Sequence, residues 1–192
     1  MDADAPTVTI LLLGDPGCGK STFLAKMSLG ARLIAQPVSP SNPLPSLRDY
    51  DQPFVFNISM YNRPYRFEIY DTSSPENYTL LSPDLIIMCY DVNDRRTLSN
   101  VDEVWSKQVA RTWLSQKEDI PVTLLGLKRD LRRAGAGVIY PQEVGTHLNL
   151  AVGRATISEE QGADDLAGTQ DCAGAPVRYV CGVLGYDGRI DE

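Results

Sequence analysis

Eight consecutive residues, Gly14-Asp15-Pro16-Gly17-Cys18-Gly19-Lys20-Ser21, fit the pattern G-x-x-x-x-G-K-[ST]. Glycines permit the tight turns and close backbone approach of a loop wrapped around an anion. Successive backbone N–H groups and the N-terminus of a following helix then face phosphate oxygens. A lysine at position 20 reaches the β- and γ-phosphates, and the Ser21 hydroxyl suits Mg²⁺. The spacing therefore points to a nucleotide-phosphate site built from Asp15, Pro16, Gly17, Cys18, Gly19, Lys20 and Ser21, with Thr22 next in the chain.

A strand and a helix must flank that loop, and the sequence supplies both. Val8-Thr9-Ile10-Leu11-Leu12-Leu13 reads as a buried strand, and a helix follows from about 20 to 32. Between 36 and 53 stand five prolines, which remove donors and predict an irregular, exposed stretch. Segments 54–61 and 65–70 read as a hairpin around Asn62-Arg63-Pro64. A buried strand over 84–91 precedes a helix over 99–117, with Val101, Val104, Trp105 and Val109 on its core stripe. The next strand is 122–127, segments near 141–150 and 158–172 look helical, and 177–183 closes the set as a strand. Apolar runs alternating with helix-period segments predict an α/β fold around a mostly parallel sheet. No linker or repeat divides the chain, so a single domain is expected.

The bulk composition excludes several classes. The 192 residues carry a formal charge of −7, which disfavours nucleic acid as a partner. The basic cluster Lys128, Arg129, Arg132 and Arg133 is interrupted by Asp130 and reads as a solvated loop. Cys18, Cys89, Cys172 and Cys181 lack metal-ligand spacing, and His147 is the only histidine. A buried strand cysteine and a loop cysteine suit reduced thiols in a reducing compartment. Neither a signal peptide nor an apolar run of transmembrane length is visible, so a cytoplasmic, soluble protein is expected.

The order of strand, phosphate loop, helix, hairpin, Asp71-Thr72, strand, helix, strand and Lys128-Arg129-Asp130 resembles the Ras superfamily small GTPases, and most of all their Rho-like branch. Gly14-Asp15 opens the loop as Rho-like proteins often do, and the stretch of about 131–157 sits where that branch carries an insert. The resemblance implies a P-loop NTPase small G domain over 1–192, with a six-stranded sheet, helices on both faces and a final helix that is short or missing. It implies GTP/GDP and Mg²⁺ as cofactors. By the same resemblance Asp71 holds Mg²⁺ together with Ser21, Asp130 accepts from the guanine N1–H and 2-amino group, and Lys128 lies along the purine. Cys181-Gly182-Val183 is similar to the family's Cys-Ser-Ala, which gives the Val183 N–H the guanine carbonyl.

Four departures fall on the chemistry. Ser74-Pro75 stand where the family has Gly-Gln. Pro75 can neither orient a water nor donate, and losing such a group costs about 10²–10³ in rate. No threonine lies between Thr22 and Thr72 to serve the first switch, and ungapped counting puts Asp49 at that position. Leu127 replaces the Asn or Thr before Lys128, and Pro16 replaces a loop glycine beside which an arginine finger would enter. The resemblance therefore implies a guanine-nucleotide-binding signalling or interaction module with weak or absent hydrolysis, and no catalytic residue is assigned. The alternatives are an active GTPase with a rearranged group (Glu76, Ser73 or Asp49), a pseudo-GTPase scaffold that binds no nucleotide, and a P-loop kinase of small molecules. Effector or regulatory proteins would dock on 36–53 and 73–82, and no prenyl anchor is encoded.

Overall fold

The structure is a computed structural model that describes residues 5–28, 43–60, 63–72, 79–115, 120–131 and 155–159. Its frame is a six-stranded sheet in the order β2-β3-β1-β4-β5-β6. The strands are β1 (Thr7–Gly14), β2 (Phe54–Met60), β3 (Arg63–Thr72), β4 (Leu85–Asp91), β5 (Val122–Leu127) and β6 (Ala155–Glu159). All neighbours pair in parallel except β2 with β3, which form an antiparallel edge.

Alternation along β1 sorts the core into two layers. Ile10 and Leu12 point to one face, where they meet Phe23 and Leu24 of helix α1 (Lys20–Ser28). Leu11 and Leu13 point to the other face, where Trp105 and Trp113 of a second helix cover them. Side chains two residues apart share a face and adjacent ones do not, so one central strand feeds both layers. Helices on both faces follow from that pattern.

The second helix, α2, is a continuous run of four segments: Arg95–Asn100, Val101–Trp105, Ser106–Val109 and Ala110–Leu114. It begins earlier than the periodicity suggests, because Asp94 caps it by accepting from the Arg96 N–H. Two of its segments, Val101–Trp105 and Ala110–Leu114, are π-helical. The buried residues Val101, Trp105, Val109 and Trp113 recur every four positions. On a 3.6-residue turn that spacing drifts by about 40° per step. The wider π turns take up the drift and keep the stripe on the sheet. Val104, expected on that stripe, faces away and is 47% exposed.

The strands differ from expectation most at β3 and β6. β3 begins at Arg63, with Pro64 paired to Ser59 rather than in the turn. The Arg66 N–H donates to the Pro6 carbonyl on the β1 side, so Pro64, two residues back, turns its missing donor the same way, beyond the end of β1. β6 is formed by Ala155–Glu159 beside β5. Ser158 and Glu159 are thus strand rather than the start of a helix, and Ala155 to Ile157 belong to the sheet rather than to an insert. The expected strand 177–183, the helix 141–150, the remainder of 158–172, the final helix and His147 lie outside the described residues. Within the proline-rich stretch, 43–48 has no regular structure, and a short 3₁₀ turn, Asp49–Asp51, precedes β2.

Candidate nucleotide-phosphate site

β1 ends at Gly14, and α1 starts at Lys20, so the loop is suspended over the carboxyl end of the central strand. In open parallel sheets ligands bind at this end. Asp15-Pro16-Gly17-Cys18 form a turn closed by the Cys18 N–H donating to the Asp15 carbonyl at 3.3 Å. Proline second and Gly17 third, at φ +76°, is the combination a type II turn takes. Pro16 therefore fits the loop's own geometry and stands exposed on it. Gly19, at φ +116°, carries the chain into the helix.

The Lys20 ammonium is buried and donates to the carbonyls of Gly14 (2.8 Å) and Asp15 (3.1 Å). It also lies 4.0 Å from Asp71 Oδ1. Ser21 Oγ donates to Asp71 Oδ2 at 2.7 Å. Ser21 and Thr22 are both exposed at the start of α1. Residues fifty positions apart thus converge on one point, because β1 and β3 are parallel neighbours with Leu12 opposite Asp71.

Asp15 is anchored from the opposite side. Its Oδ2 accepts from Asn100 Nδ2 at 2.6 Å and its Oδ1 from the Trp105 indole N–H at 2.8 Å. Two donors on α2 therefore hold the loop against the helix, a tie with no local signature in the sequence. Trp105→Phe keeps the ring but leaves one carboxylate oxygen without its donor. An unfolding free energy lower by about 1–3 kcal/mol is expected in urea titrations. The loss should shrink when Asp15 is already alanine, and an unchanged loss would show the bond to be idle.

Cys18 is buried, and it belongs to the apolar layer that also holds Leu125, Leu127 and Cys89. Burial pushes its thiol above the ordinary value of 9.0, and the nearby Lys20 charge offsets this only in part. The folded chain then holds that proton at pH values where the unfolded chain has lost it. Stability is expected to fall as pH rises past 9.0, not below it. At neutral pH, alkylation followed by mass spectrometry should find Cys18 protected relative to the urea-unfolded chain. Equal rates in the two states would contradict the burial.

Leu127 is also buried, and its side chain lies against the backbone of Gly19. An apolar contact therefore joins β5 to the loop where a polar residue is usual in the resembled family. Lys128 follows with a positive φ of 62°, and its stem lies over Gly19. Its ammonium pairs with Asp91 Oδ2 at 2.8 Å, and its carbonyl accepts from Asn93 Nδ2 at 3.1 Å. Asp130 sits exposed in the turn Arg129–Leu131 and makes no hydrogen bond or ion pair among the described residues. Val183 and the stretch 73–78, with Ser74, Pro75 and Glu76, lie outside the described residues. Among those described, no helix is long and apolar enough to cross a membrane, and no cluster of three His, Cys, Asp or Glu gathers.

The mixed sheet, the two covering helices and the loop at the end of β1 together make a small G domain. The Ras family model matches residues 50–169, and the chain belongs to that family. It is a distant, Rho-like member. It is similar to the Rho-related GTP-binding protein RhoD of Homo sapiens, with 25% identity over 133 residues, covering 66% of this chain and 57% of that protein. It is also similar to RhoF of Homo sapiens and of Bos taurus, each 28% identical over 130 residues. Those matches cover 65% of this chain and 55% and 54% of the relatives. The matched stretch thus spans little more than half the length of these proteins. The family match begins after the phosphate loop, so the loop rests on its own sequence and geometry.

Proposed function

We propose that this chain is a single Rho-like G domain that binds GTP or GDP with Mg²⁺ and works as a cytoplasmic signalling or interaction module, hydrolysing GTP weakly or not at all. The observation that carries this reading is the convergence of Ser21 and Asp71 at 2.7 Å beside the buried Lys20 ammonium. Asp15 to Thr22 would wrap the phosphates, Lys20 would neutralise their charge, and Lys128 and Asp130 would hold the base. Asp130 accepts a donor pair that guanine offers and adenine lacks.

The donor set fits Mg²⁺. The ion takes hard oxygens, keeps several waters, and is commonly held by one or two protein groups plus phosphate oxygens. Ser21 Oγ and the Asp71 carboxylate supply oxygens at one spot. Held by Ser21 and Asp71, the ion would offset the charge of the phosphates. Two sequence features support weak hydrolysis: Pro75 at the water-orienting position and the missing threonine of the first switch. Effectors or regulators would meet the chain at 36–53 and 73–82, which flank the γ-phosphate in this reading.

Denaturing the purified protein and resolving the supernatant by ion exchange should reveal guanine nucleotide. Titration with labelled GTP and GDP at controlled Mg²⁺ should show binding. Dissociation constants weaker than about 100 μM for both would sink the reading. Asp130→Ala should erase any preference for GTP over ITP, which lacks the 2-amino group. Single-turnover hydrolysis at an ordinary rate, lost on Glu76→Ala or Asp49→Ala, would instead favour an active GTPase.

A further inference from the structure

Gln52 lies near the end of the segment 43–53, two residues ahead of β2. The β2–β3 register pairs Phe54 with Ile69, and two further steps set Gln52 opposite Asp71. The backbone ladder has ended there, yet pairing continues through the side chain. Gln52 Nε2 donates to the Asp71 carbonyl at 2.9 Å, and the Asp71 N–H donates to Gln52 Oε1 at 3.0 Å. Both bonds fall on the residue whose carboxylate meets Ser21. On its other flank the same residue is in register with Leu12 of β1. A carboxamide that engages both the N–H and the C=O of one extended residue fixes its two peptide planes, and with them the direction of its Cα–Cβ bond. Glutamate lacks the donor for this, and asparagine is one methylene shorter.

We infer that Gln52 is a positioning residue for the Asp71 carboxylate: its clamp on the Asp71 backbone holds Oδ2 where Ser21 and a divalent cation share it. Mg²⁺-dependent retention of nucleotide then depends on a residue outside the ligand set, and that residue ties the segment 43–53 to the metal site. The inference rests on the nucleotide-binding reading above. Partners that orient a ligating group are typically worth about 10–100-fold in metal affinity.

The test uses the full chain loaded with a fluorescent GDP analogue, its release followed across a Mg²⁺ titration and in excess EDTA. Amide hydrogen exchange at Asp71 is followed in the nucleotide-free chain. Gln52→Met keeps the length of the side chain and removes both bonds. It should raise the Mg²⁺ concentration for half-maximal retention about tenfold or more, and leave release in EDTA within about twofold. The Asp71 amide should exchange faster. Gln52→Asn, with the amide kept but short, should follow Gln52→Met and serves if the methionine variant folds poorly. Equal acceleration with and without Mg²⁺ overturns the inference, and so does an unshifted Mg²⁺ requirement. A wild-type chain that retains no nucleotide at any Mg²⁺ concentration overturns the proposed function along with it. Wild-type retention with an unmoved variant curve overturns the inference alone.

Discussion

Lys20→Met is expected to lose nucleotide binding by about 10²–10⁴-fold, the equivalent of two charge-assisted hydrogen bonds. The Lys20 side chain is only 6% exposed, and its ammonium meets the carbonyls of Gly14 and Asp15 and, at longer range, the Asp71 carboxylate. A buried cation held by loop carbonyls is set in place before any phosphate arrives, so little ordering remains to be done on binding. Methionine preserves the unbranched stem and removes the charge. Arginine should not rescue, because a planar fork cannot reproduce the compact ammonium's bonds to the Gly14 and Asp15 carbonyls. Binding measured by fluorescence titration, beside thermal unfolding of the same preparations, separates lost affinity from lost fold. A Lys20→Met chain that binds GDP within about threefold of wild type would remove the phosphate role from this loop.

Gly14→Ala is expected to cost about 2–5 kcal/mol of stability, a large part of what a domain of this size has. A Cβ at Gly14 would lie 2.4 Å from the Cys89 carbonyl oxygen, which is backbone of the paired strand β4. Its φ of +149° is also a conformation that side chains disfavour. Neither obstacle is relieved by a rotamer change, so β1 or β4 must shift. Gly17→Ala is the control, with φ +76° and nothing within 4 Å of the added Cβ. It should cost only about 1–2 kcal/mol, the left-handed penalty alone. Equal losses at the two positions in urea titrations would refute the steric argument.

Most of the framework was legible because it follows local rules. The run before the phosphate loop reads as a buried strand from its apolar residues, and the structure shows its alternation feeding both core layers. The antiparallel hairpin was legible as two strand-like runs around a turn signal, and the central strands β4 and β5 as apolar runs. β6 was not, because Ala155–Glu159 is a short edge strand with polar residues at three of its five positions. An edge needs one partner, and a weak pattern suffices once β5 supplies it. Val104 leaves the stripe that an ideal 3.6-residue turn predicts, because π turns shift the helix face.

The sequence by itself determined the loop: its glycines, Lys20 and Ser21 fall within eight residues, and its shape depends on backbone conformation there. Asp71 was picked out by resemblance to the small GTPases, and the parallel pairing of β1 and β3 sets it beside Ser21. Only the tertiary structure decided what steadies these groups. Gln52 meets Asp71 from 19 residues away, and Asn100 and Trp105 reach Asp15 across 85 and 90. At such separations the partner is chosen by strand register and helix packing, which depend on the whole core. A glutamine, an asparagine and a tryptophan carry no local mark of which carboxylate or peptide they will hold.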